Sequence, residues 1–248
     1  MKKHGWQILL GISLIALSAA LYLLHFAWFH DRHHILIYLV GDIAFVPIEV
    51  LLVTLIIHRL LSVREHRALL QKLNMVIGAF FSEVGTKLLK NIATFDPEPN
   101  RFAEDFAAVK DWSDRDFSAK AGRLVLKDLE VDPTRGDLVT LRTFLSSKRD
   151  FLLRLLENPN LLEHDRFTNL LWAVFHLTEE LENRDDLAAL PQSDLKHLAG
   201  DVKRVYGRLL IEWLAHLRHL RRDYPYLFSL AARTNPLNPQ ASAVVAES

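Results

Sequence analysis

Asp42 and Glu49 are the residues whose surroundings demand most of this chain. They stand seven apart inside a stretch, 35–57, that is otherwise apolar, so at helical pitch they share one stripe, two turns from each other. A carboxylate at the centre of a hydrocarbon layer costs something like 2.5–3.5 kcal/mol on insertion scales, so each must be protonated, paired or hydrated. Acids placed in this way pass protons or cations, or sense them by changing helix packing; the plainer alternative is adhesion between helices. The preceding apolar stretch offers partners, because Gly11, Ser18, Tyr22 and His25 fall at intervals of seven, four and three on one small and polar stripe. A chain that turns back about Arg32 brings Tyr22 level with Asp42 and leaves His25 about one turn further out. The spacing therefore predicts a hydrogen bond from Tyr22 or His25 to Asp42. Glu49 falls opposite Ile15, within a turn of Ser18, and is expected to face another subunit or a wet cavity. Pro47 lies between the two acids and predicts a kink.

A second set of candidates concerns metal. Glu212, His216, His219 and Asp223 recur at i, i+4, i+7 and i+11, one face of one helix, and His176, Glu179 and Glu180 sit together on the preceding long helix. Facing helices that present carboxylates and imidazoles are how bundle metal sites are built, which makes Glu212, His216, His219, His176 and Glu179 the candidate ligands. The Glu-x-x-His order of the di-iron bundles is missing, and a solvated, ion-paired stripe is the alternative. His30, Asp31, His33 and His34 are of types that bind zinc or copper or respond to pH, although a polar turn explains them as well. Arg218, His219, Arg221 and Arg222 form a basic cluster suited to a helix end or an anionic lipid surface. No glycine-rich phosphate loop, nucleophile elbow, His-Glu-x-x-His motif or dinucleotide fingerprint occurs, so no catalytic residue and no cofactor are assigned.

Composition narrows the classes. Thirty basic residues balance thirty acidic ones, so the chain lacks the basic excess that nucleic-acid binding requires. There is no cysteine, which removes disulfides, zinc ribbons and thiol nucleophiles. From Trp6 to Phe29 no Asp, Glu, Lys or Arg occurs; this run rises roughly 36 Å as a helix, against a hydrocarbon core of about 30 Å. The run continues past Ser18-Ala19-Ala20, where a cleaved leader would end. Two spans, about 6–29 and 35–57, follow, joined by a five-residue loop, 30–34. Lys2, Lys3, Arg59, Arg64, Arg67 and Lys72 flank them on one side and only Arg32 on the other, which predicts both termini in the cytoplasm and an inner (plasma) membrane location.

Beyond the second span, Leu69, Leu73, Val76, Phe80, Val84 and Leu88 recur at three- and four-residue steps, which continues the helix toward residue 95. Gly78, Ser82 and Gly85 make a separate small-residue stripe that would admit a close neighbour. Asp96-Pro97-Glu98-Pro99-Asn100 ends the helix and predicts a domain boundary. Helices are expected near 101–111, 114–130, 134–157, 161–183 and 194–222, with a short one after Pro225. Ser113 with Asp116 forms a capping box, and no stretch alternates as a strand would. The expected architecture is all-α: a transmembrane hairpin over 1–58, a juxtamembrane helix over 59–95, a cytosolic helical bundle over 96–234 and a disordered tail over 235–248. The function this favours is a membrane-anchored, non-enzymatic interaction or regulatory protein, homo-oligomeric, lipid-embedded and able to bind a cytosolic protein partner. A small oligomeric channel using Asp42 and Glu49, and a metal-binding bundle enzyme, are the alternatives.

Overall fold

The computed structural model describes residues 3–98, 102, 106, 108–126, 129–159, 161 and 164–245. All regular structure among them is helical, and the chain divides into two compact units, Met1–His66 and Arg67–Ser248. In the first unit, α1 (Lys3–Phe29) stops where His30 takes φ 52° and its N–H returns to the carbonyl of Phe26 at 2.9 Å, a left-handed residue closing the last turn. Asp31 then caps α2 (Arg32–Phe80), its Oδ1 accepting from the N–H groups of His34 and His33 at 3.1 and 2.9 Å. Those bonds, His34 foremost, hold the Asp31 carboxyl below the usual carboxylate range. The expected five-residue loop is thereby shortened to two residues, since the cap lets the helix begin at Arg32. α2 runs unbroken through Pro47.

Ile8–Phe29 and the apolar part of α2 are each long and apolar enough to cross a membrane, and neither apolar window is buried. Ile15 is 73% exposed, Leu23 69% and Trp28 77%.

The second unit is a helical core. The closing turns of α2 contribute Leu73, Ile77 and Phe80, all buried. A π-helical turn, Phe81–Gly85, follows, in which Thr86 gives both its N–H and its hydroxyl to the carbonyl of Phe81, the hydroxyl at 2.8 Å. α3 (Thr86–Ala93) adds Leu88, Leu89 and Ile92. Residues 67–98, read from sequence as a juxtamembrane helix and a boundary, thus share one core with the rest of this unit. Phe95 and Asp96 are buried, the N–H of Asp132 reaches the carbonyl of Phe95 at 2.8 Å, and the Tyr206 hydroxyl donates to Asp96 Oδ2 at 3.3 Å. Asp96-Pro97 does end the helix, yet the chain stays attached to the core.

The remaining elements are α4 (Asp114–Leu126), α5 (Leu138–Ser147), α6 (Arg149–Leu156), α7 (Asp165–Glu182), α8 (Gln192–Asp223) and α9 (Pro225–Arg233). The Ser113–Asp116 capping box forms, with the Ser113 N–H on Asp116 Oδ2 at 2.7 Å. The helix expected over 134–157 starts at Leu138, where Asp137 accepts from the Thr140 N–H, and divides at Lys148, which leaves helical geometry and reaches Glu83 at 3.0 Å. The one expected over 161–183 starts at Asp165, capped by His164 Nδ1. Near 101–111 the structure holds a 3₁₀ turn, Val109–Asp111, and several residues of that expected helix lie outside the described ones. The stretch after Thr234, read from sequence as disordered, begins with packed residues: Asn235 and Leu237 are buried, and Trp213 Nε1 donates to Asn235 Oδ1 at 3.3 Å. A buried indole N–H needs an acceptor, and this one lies far along the chain.

The small-residue stripe divides accordingly. A β-carbon on Gly85 would stand 2.5 Å from Phe81 Cδ1 and 2.7 Å from Phe80 Cε1, whereas one on Gly78 would meet only His216 Cε1, at 3.8 Å. Ser82 is exposed. Gly85→Ala should therefore destabilise the second unit by about 1–3 kcal/mol through overpacking. Gly78→Ala should be neutral or stabilise by about 0.5–1 kcal/mol, as a mid-helix glycine replaced without a clash. Denaturant unfolding of the two variants checks the contrast; equal midpoints would contradict the packing at Gly85.

Candidate functional sites

In the first unit the Tyr22 hydroxyl donates to Asp42 Oδ2 at 3.5 Å, the long limit of a hydrogen bond. His25 stacks on His34 with centroids 6.1 Å apart, and His34 tilts against Tyr38 at 4.7 Å. Ser18, Tyr22, His25, His34 and Tyr38 line a cleft of about 480 Å³. His25 Nδ1 is buried there without a hydrogen-bond partner. Among the described residues Glu49 meets no polar partner, and a β-carbon on Gly11 would meet nothing within 4 Å.

In the second unit the candidate metal ligands of α8 do not converge. Glu212 is buried with Arg166 Nε 3.4 Å from its Oε1. Burial pushes its carboxyl pKa up, against the pull of the Arg166 charge. His216 is buried in a ring stack on Phe81, centroids 4.9 Å apart, and burial, with the charge of His219 behind it, lowers its pKa to about 4. His219 turns instead to Asp223, Nδ1 to Oδ2 2.8 Å, and to the side-chain amide of Asn74 at 3.3 Å; burial lowers its pKa while Asp223 opposes the shift. Asn74, Gly78, His216, His219 and Asp223 border a pocket of about 980 Å³. Helical periodicity placed these residues on one face, but that face is occupied by aromatic packing.

His176 does not join them, and Glu179 points to solvent. Among the described residues the group whose donor atoms close to within 4.8 Å is His176, Glu180 and Asp201. His176 Nε2 is 3.7 Å from Glu180 Oε1 and 3.7 Å from Asp201 Oδ2. His197 Nε2 faces the same acids, 3.5 Å from Glu180 Oε2 and 3.4 Å from Asp201 Oδ2. Around them Arg184 clasps Asp194 with two bonds of 2.6 and 2.7 Å and reaches Glu180 Oε2 at 2.7 Å. Arg184, through its bond to Glu180, holds that carboxyl below the usual range. Sequence reasoning missed His197 and Asp201. The available signal was a pair of matching i, i+4 steps, His176–Glu180 on α7 and His197–Asp201 on α8.

A family model described as the C-terminal helical domain of Uncharacterized protein MJ1433 matches residues 69–233, and one described as the MJ1433 N-terminal helical domain matches residues 2–61. Uncharacterized protein MJ1433 of Methanocaldococcus jannaschii is 46% identical over 239 residues, which cover 96% of this chain and 96% of the relative. No solved structure matches the chain.

Neutral His216 makes acid stability a measurable consequence of this packing. The folded protein refuses the proton that the unfolded chain accepts below pH 6.5, so stability is full above that value and falls as the pH drops toward 4, by about 3 kcal/mol from this group alone. Glu212, with its raised pKa, contributes with the opposite sign. The difference between wild type and His216→Phe isolates the imidazole: the variant should lose less stability between pH 6.5 and 4 in denaturant unfolding, and parallel curves would refute the assignment.

Proposed function

Because this chain belongs to the MJ1433 family of helical proteins, whose two domain models fall on its two compact units, we propose that it is a membrane-anchored, non-enzymatic interaction or regulatory protein. One observation carries the reading: α1 and the apolar part of α2 leave their large side chains uncovered around the whole circumference, as at Ile15, Leu23, Trp28, Val40 and Val50. Each such side chain left in water forgoes about 1.5–3 kcal/mol, and a continuous surface of them is tolerated only against lipid or another chain. The hairpin spans an inner (plasma) membrane with Lys2, Lys3, Arg59 and Arg64 on the cytoplasmic side, and the bundle is cytosolic, available to a protein partner. Glu49, unpaired among the described residues, finds its partner in a second copy of the chain, which makes the protein a homo-oligomer. A second reading, a small oligomeric channel, draws on the polar cleft beside Tyr22 and its bond to Asp42.

The absence of cysteine makes topology directly testable. His33→Cys should react with a membrane-impermeant maleimide in intact cells, and Ser242→Cys only after permeabilisation. The reverse pattern, or extraction of the full chain from membranes by carbonate, would sink the anchoring. Glu49→Gln should lower the oligomer mass in mild detergent. If instead Asp42→Asn abolishes ion flux in proteoliposomes while the oligomer persists, the channel reading replaces the regulatory one.

A further inference from the structure

We propose that His176, Glu180, His197 and Asp201 form a binding site for one divalent transition-metal ion of the zinc type, joining α7 to α8. The donor set is two imidazole nitrogens and two carboxylates, with nearest separations of 3.4, 3.5, 3.7 and 3.7 Å. Four ligands at about 2.1 Å in a tetrahedron lie about 3.4 Å apart. His176, Glu180 and Asp201 hold one donor atom each within 4.8 Å of one another, and His197, whose Nε2 faces the same two acids, completes the set by a side-chain adjustment. Each helix supplies a histidine followed four residues later by an acid, which places both donors on one face, and the two faces meet.

Asp201 supplies an independent observation. It is 2% exposed, and its Oδ1 accepts from Arg204 Nη1 at 2.6 Å, while its Oδ2 is buried without a hydrogen bond and is directed at both imidazoles. A buried carboxylate oxygen left unsatisfied is expensive. Imidazolium partners would bring nitrogen to about 2.7–2.9 Å, as charge-assisted hydrogen bonds do, and the spacing of 3.4 and 3.7 Å leaves room for a cation between them instead. Arg184 on Glu180 and Arg204 on Asp201 hold the two acids in place as outer partners. With all four positions taken by protein the ion is structural and clamps the two longest helices of the bundle. Mixed nitrogen and oxygen donors select zinc or cobalt over magnesium or calcium, which want oxygen alone.

The test uses full-length protein in mild detergent, stripped by chelator, with His30, His33 and His34 changed to Gln so that the turn between α1 and α2 contributes nothing. Zn²⁺ and Co²⁺ should each bind at one equivalent per chain, Co²⁺ with the intense visible bands of tetrahedral coordination, and Mg²⁺ should not compete. Asp201→Asn and His176→Ala should each weaken binding more than about 100-fold, and Arg204→Ala by about 10–100-fold. The double variant His216→Ala, His219→Ala should bind as before. His197→Ala, on a half-exposed side chain, serves where a core variant misfolds, with helical content followed by circular dichroism. Metal well below one equivalent, an octahedral Co²⁺ spectrum, or unchanged affinity in folded His197→Ala would overturn the site.

Discussion

Uncovered apolar surface on both N-terminal helices is the constraint from which the proposed membrane anchoring follows. An isolated helix buries nothing of its own circumference, and in α1 and the apolar part of α2 exposed apolar side chains surround a few small and polar positions instead of forming a single stripe. That uniformity separates them from the amphipathic helices of the second unit, where one face is buried and the other is charged. It also explains why the few polar residues among them matter. In a medium without water, a carboxylate or imidazole finds its partner on a neighbouring helix or from another subunit, so under the proposed anchoring Tyr22, Asp42, His25 and Glu49 are the residues that would specify how the helices associate.

The second unit solves a different problem, how to close a core when the chain enters it on a helix that is already long. The π turn at Phe81–Gly85 shifts the helical phase by one residue just where Phe80 and Phe81, adjacent in sequence, both point inward, Phe80 onto Phe167 and Phe81 onto Trp213 and His216. Gly85 permits the shift because a side chain there would meet both rings. Neutral His216 is then part of the aromatic packing.

Legibility in the sequence followed the range of the interaction that decides each feature. The apolar stripe of α8, from Leu198 through Val202, Val205, Leu209, Trp213 and Leu217, is decided within one helix and reads directly. So does the Ser113–Asp116 cap, decided within four residues. The two-residue turn at His30–Asp31 is not legible because the same aspartate serves equally as loop residue or cap. The π turn and the burial of Asn235 rest on rings and an indole contributed by α7 and α8, which nothing local announces. The His–acid cluster lay in between: each i, i+4 step was visible, but whether the two faces meet depends on how α7 and α8 are rotated about their own axes. Periodicity fixes the buried side of each helix and leaves its rim undetermined, and the cluster sits on that rim.

Buried acids of the bundle show what that rotation is worth. Asp96 takes the Tyr206 hydroxyl and Glu212 faces Arg166, each partner coming from a distant part of the chain. Such pairs add little net stability, since desolvation offsets most of the attraction, but breaking one leaves a charge stranded, and misregistered packings are disfavoured for that reason. Asp201 takes a local partner at one oxygen, Arg204 three residues on, while at the other it meets two imidazoles from two helices, at 3.4 and 3.7 Å, without forming a hydrogen bond. Among the described residues two buried carboxylate oxygens thus lack a hydrogen bond, Glu212 Oε1, which has the Arg166 charge at 3.4 Å, and Asp201 Oδ2, which lies between two imidazole nitrogens. A cation held there would extend the same principle, turning the pairing of α7 with α8 from one of many apolar solutions into a specified one.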